Sequence, residues 1–70
     1  MKTEKRLAEL APGDLVHSVA GTDLDHALRV TEVRTATIRG TVRPVFVILE
    51  HGRFWPTGID DPRTVTVSAR

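Results

Sequence analysis

The clearest pattern along the chain is alternation. Thr64-Val65-Thr66-Val67 switches between polar and apolar at every step, the period of a half-buried strand. Leu15-Val16-His17-Ser18-Val19 and a longer stretch at about 27–38 read as strands on the same grounds. The run Val45-Phe46-Val47-Ile48-Leu49, inside a strand at about 42–50, is apolar on both parities. Such a strand is covered on both faces, which a single solvated sheet does not require. Phe54-Trp55-Pro56-Thr57 is a short fourth strand, and Pro56, with no N–H to donate, marks it as an edge. Helical spacing occurs once: Leu7 and Leu10 lie three apart behind Lys5, Arg6 and Glu9, about two turns that Pro12-Gly13 stops.

Turn chemistry separates these segments at Ala20-Gly21-Thr22-Asp23, Arg39-Gly40, His51-Gly52 and Asp60-Asp61-Pro62. Val, Thr and Ile together fill 21 of the 70 positions, a β-branched bias that suits a pleated sheet. The expected fold is mainly β: a small five-stranded antiparallel barrel or bent sheet over residues 13–70. Residues 1–12 form an N-terminal segment, a short helix or a loose arm. The opening Leu10-Ala11-Pro12-Gly13-Asp14-Leu15-Val16 resembles the first strand of SH3-like barrels, where a Gly-Asp pair precedes the entering strand. That resemblance covers these seven residues and the strand count; it implies a fold class and carries over no functional residue.

Two-residue turns at Arg39-Gly40 and His51-Gly52 predict a register. Ile38 then faces Thr41, Val33 faces Phe46, and Arg29 faces Glu50; on the far side Glu50 faces Arg53, Leu49 faces Phe54 and Ile48 faces Trp55. Opposite charges meet in this arrangement, which favours it. Leu28, Val30, Val45, Val47, Leu49, Phe54 and Pro56 fall on one face, the expected core. Val33, Phe46, Ile48 and Trp55 fall on the other, among threonines and the Arg29–Glu50–Arg53 charges. A slip of one residue would exchange the faces of a strand.

Charge and composition narrow the partners. Net charge is +1, so the whole chain has no strong pull on nucleic acid or an anionic membrane. The middle, residues 26–53, is nevertheless basic, with Arg29, Arg34, Arg39, Arg43 and Arg53 against Glu32 and Glu50. Cysteine is absent, which removes disulfides and thiolate metal ligands. No apolar run is long enough for a membrane span or a signal peptide, so the expected location is cytoplasmic. Eight of the ten basic residues are Arg, with no Asn or Gln, a bias typical of a GC-rich genome such as an actinobacterium or one of its phages.

Candidate chemistry is sparse. His17, His26 and His51 show no metal-ligand spacing with Asp23 or Asp25. Asp60-Asp61 before Pro62 reads as a turn rather than a carboxylate pair for acid–base work. Ser18 and Ser68 lack the glycines of a nucleophile elbow, and the chain is too short to wall a pocket of several hundred Å³. The sequence therefore points to a non-enzyme with no catalytic residue, metal, cofactor or small-molecule substrate. It is expected to be a cytoplasmic binding or assembly module, contacting a protein or a second copy of itself through Val33, Phe46, Ile48 and Trp55. The alternative is a weak nucleic-acid-binding domain using Arg29, Arg34, Arg39, Arg43 and Arg53, with the handicap that these arginines divide between the two faces.

Overall fold

The computed structural model describes residues 2–68. Six strands are present: β1 (Lys2–Arg6), β2 (Leu15–Val19), β3 (Thr22–Ile38), β4 (Thr41–Leu49), β5 (Phe54–Pro56) and β6 (Thr64–Ser68). All pairings are antiparallel, in one sheet of order β1-β6-β2-β3-β4-β5. The sheet does not close: β5 and β1 are its edges and do not pair. A barrel would need β5 to bond β1, but β5 is three residues long and ends in Pro56. The loop after it occupies the seam, where the Arg6 guanidinium donates to the carbonyls of Ile59 and Asp61, each at 3.0 Å.

The spacing of Leu7 and Leu10 does not produce the expected helix. Leu7–Glu9 is a single 3₁₀ turn, and Lys2–Arg6 before it is a strand along β6. Side chains three apart eclipse each other in a 3₁₀ turn, so the same spacing still aims both leucines one way. Leu7 is 0% exposed and Leu10 4%. The turn is fixed by Leu7 N–H donating to the Arg63 carbonyl at 2.9 Å and by the Arg6 amide donating to Glu9 Oε1 at 3.0 Å.

β3 has 17 residues where about twelve were expected. Ala20 and Gly21, at φ 51° and 80°, make a tight turn, and the strand resumes at Thr22 rather than after Asp25. Straight, such a strand would span roughly 56 Å, yet the molecule measures 37 × 23 × 18 Å. It bends. Its first half pairs with β2 and its second half with β4, and the pairing slips at Thr31, whose hydroxyl donates to the Ile48 carbonyl at 3.2 Å. The bend brings Leu28 and Val30 towards Val16 of β2, Val47 and Leu49 of β4, and Val65 and Val67 of β6. Leu7 and Leu10 complete this core. Among the described residues no polar or charged side chain is buried in it.

Candidate functional site

The run that is apolar on both parities resolves into one covered face and one open one. The register begins as expected, Ile38 opposite Thr41, and ends as expected, Val30 opposite Leu49. Between them it is displaced by one residue. Val45 is an extra residue on β4 and Thr31 an extra residue on β3, so Val33 lies opposite Val47 and Arg34 opposite Phe46. β-Bulges of this kind re-aim side chains between two stretches of ordinary ladder. Val33 accordingly packs against the core instead of sharing a face with Phe46.

β5 is displaced as well. The connection is not the two-residue His51-Gly52 but the three residues Glu50–Gly52, with His51 at φ 65° and Gly52 at φ 73°, closed by Leu49 N–H donating to the Arg53 carbonyl at 2.8 Å. Trp55 therefore faces Val47 and Phe54 faces Ile48. The predicted sides are exchanged: Trp55 packs against the core, and Phe54, expected inside, is 58% exposed. Pro56 is exposed and Val45 half-buried, so neither belongs to the core. Glu50 also departs from its predicted role, accepting from the Arg29 backbone amide at 3.0 Å while the Arg29 side chain donates to the Gly13 carbonyl at 3.3 Å.

The outer face of β3–β4–β5 is thus built in rows. Glu32, Ile48 and Phe54 form one; Arg34, Phe46 and Pro56 the next; Ala36 and Arg43 a third. Phe46, 38% exposed, meets Phe54 edge to face with ring centroids 5.7 Å apart. Ile48 is half-buried beneath them. Arg34 stands beside Phe46 and reaches Glu32 at 3.4 Å, both exposed. Arg43 is on the same face, and its Nε is buried with no hydrogen-bond partner. Arg39 is at the tip of the ribbon, in the turn. The arginines of the basic middle are therefore arranged differently from expectation: Arg34 and Arg43 share the aromatic face, the Arg29 side chain is bonded to the Gly13 carbonyl, and Arg53 directly precedes β5.

No protein-family model, curated protein or solved structure matches this chain.

Two clefts, of about 440 and 400 Å³, contradict the expectation that so short a chain lacks walls for such volumes. The walls come from the bent β3 and from loops that stand beyond the core. The first cleft brings Asp23, Asp25 and His26 together with His51 and Arg53, residues far apart in the chain. Among the described residues no three His, Asp or Glu side chains converge so as to hold a metal ion. His17 is not a solvated strand residue: it sits at a bulge of β2 with Nε2 2.8 Å from Ser68 Oγ, so the fold gives Ser68 the neighbouring base that the sequence order does not.

The second cleft runs between Arg43–Val45 and the loop Thr57–Asp61. That loop is organised by Asp61. Its carboxylate accepts from Arg63 Nη2 at 2.7 Å, from the Arg63 amide at 3.0 Å and from Thr57 Oγ1 at 3.0 Å. Arg63 Nη2 also donates to the Pro56 carbonyl at 2.7 Å. The Arg63 side-chain bond, then its backbone bond, hold the Asp61 carboxyl far below the ordinary carboxylate range. The same bond raises the Arg63 pKa. Asp61 thus serves the loop's structure, as the Asp-Asp-Pro turn implied. No helix among the described residues is long and apolar enough to cross a membrane.

Proposed function

We propose that this chain is a non-catalytic, cytoplasmic binding module that docks a macromolecular partner on the outer face of β3–β4–β5. The observation that carries the reading is the Phe46–Phe54 pair, two aromatic rings in contact with each other and open to solvent on a small protein. Aromatic side chains so placed are the usual anchors of recognition surfaces, and contiguous exposed apolar area on a soluble protein marks such a site. Ile48 and Pro56 extend the patch along β4 and β5. The proposal replaces Trp55 and Val33, which the core uses, with Phe54. It carries the SH3-like likeness with it as an open rather than a closed sheet.

The non-catalytic part of the proposal is supported by how the polar groups are employed. Asp61 and Arg63 lock a loop, and Lys5 pairs with Asp14 at 3.0 Å. Glu50 holds the Arg29 amide and His17 meets Ser68. Each of these groups is engaged by a partner within the fold.

A photo-crosslinking residue in place of Phe54, compared with one in place of exposed Glu4 on β1, tests the reading in cells of the native host. Covalent adducts should form from the Phe54 position and be far fewer from the Glu4 position. Equal yields from both, or none from the Phe54 position, would overturn it.

A further inference from the structure

Resting on that reading, we infer that the partner of the aromatic face is a single-stranded nucleic acid. Charge is the observation that selects it. Residues 33–49, which contain most of the β3–β4 ribbon, hold Arg34, Arg39 and Arg43 and no acidic residue. The rest of the chain carries seven basic residues against nine acidic ones. The positive charge of this protein is therefore concentrated on the element that presents the rings. Phosphates are attracted to that element and repelled by the remainder.

The second observation is the bulge at Val45. Without it the arginines and the rings would divide between opposite faces, and no strand of phosphates could touch both. With it, Arg34 pairs directly across from Phe46, and Arg43 lies on the same side. A base stacked on Phe46 or Phe54 would leave its phosphate within reach of a guanidinium, the arrangement that single-strand binders use. Stacking requires unpaired bases, so a duplex is excluded as the preferred form. Beyond the Thr35–Pro44 pair no third strand lies beside the ribbon among the described residues; its β3 side is open to a long ligand, while its β4 side faces the Thr57–Asp61 loop across the second cleft.

The magnitudes are modest and measurable. Three arginine–phosphate contacts give a slope of log affinity against log salt of about −2 for a single strand. Affinity should then fall roughly 20-fold between 50 and 200 mM salt. Because Arg34 is shared with Glu32, the slope will be no steeper than that. Removal of a stacking ring should weaken binding roughly 5- to 100-fold.

The test is fluorescence anisotropy of labelled oligothymidylate and oligouridylate, each about a dozen nucleotides, titrated with the intact chain at several salt concentrations. The two strands separate a DNA from an RNA preference. Binding should show the slope above, should weaken by the stated factor in Phe46→Ser and Phe54→Ser, and should lose about 0.7 of the slope in Arg39→Asn. Both phenylalanines are substantially exposed, so the variants should fold, and their circular dichroism verifies it. No binding at 50 mM salt, or binding that folded Phe variants retain in full, would overturn the inference. The crosslinked adducts separate this failure from that of the docking reading. Protease-sensitive, nuclease-resistant adducts at the Phe54 position would refute the nucleic acid while keeping the docking face; absence of adducts there would refute both.

Discussion

Leu7→Ala is the perturbation that most sharply separates the covered side of this sheet from the open one. Leu7 is fully buried, held in a one-turn 3₁₀ segment that is not a strand of the sheet. It fills the core among Val16, Val30, Leu49 and Val65. Truncating a leucine of this kind to alanine costs about 2–5 kcal/mol, a sum of lost burial and the cavity left behind. A domain of this size has roughly 4–10 kcal/mol of stability in total. About 3 kcal/mol is therefore a large share of it and corresponds to a fall in melting temperature of roughly 12–24 °C. Val42→Ala is the control: Val42 is 65% exposed, and its truncation should stay within about 0.5 kcal/mol. Thermal melts followed by far-ultraviolet circular dichroism measure both. If Leu7→Ala melts within about 4 °C of the parent, as Val42→Ala should, the N-terminal segment is not a fixed cover. The inner face would then be the accessible one, and the assignment of docking to the outer face would fall.

Two further outcomes follow from local geometry. Asp61 has a depressed pKa in the folded state, so its contribution is present above its ordinary value of 3.8 and is lost as pH falls below that towards the folded value. Asp61→Asn should melt lower than the parent at neutral pH, with the gap narrowing below about pH 4; a gap that is constant with pH would refute the clamp. Ala20 holds φ 51° in the turn between β2 and β3, a conformation that asparagine adopts at lower cost than alanine. Ala20→Asn should raise the melting temperature by roughly 2–8 °C, and a fall would contradict the turn geometry.

The parts of this fold that the sequence made legible are those set by local chemistry. Arg39-Gly40 is a two-residue turn with both φ values positive, and the pairing of Ile38 with Thr41 follows from it. Pro56 does lie on an edge strand, and Thr64–Val67 does pair throughout its length. What escaped was whatever depends on a single inserted residue. His51-Gly52 carries turn chemistry, but nothing in it reveals that Glu50 joins the connection and rotates β5 by one position. The bulges at Thr31 and Val45 leave no mark in composition, since both residues are ordinary strand formers. Asp23 and Asp25 look like loop residues, yet β3 runs through both, with Asp23 paired to Ser18 of β2. The N-terminal segment was ambiguous for a geometric reason: a spacing of three fits an α-helix and a 3₁₀ turn alike, and only the bond from Leu7 to Arg63 distinguishes them.

The candidate site was legible in the same uneven way. Phe46 and Ile48 are on the outer face, and the arginines of the middle do concentrate there in part. The slip in β5 exchanged Phe54 for Trp55, and the slip in β3–β4 gathered Arg34 and Arg43 onto the aromatic face that the uninterrupted register denied them. One-residue displacements left the fold class unchanged and altered the chemistry of the surface.

Proton–proton nuclear Overhauser contacts among the three aromatic rings test this exchange most directly. The account predicts contacts between the Phe46 and Phe54 rings, and between the Trp55 indole and the methyl groups of Val47 or the neighbouring core. Contacts from Trp55 to Phe46, with Phe54 instead touching Leu49 and the core, would restore the two-residue turn and remove the face on which the function has been built.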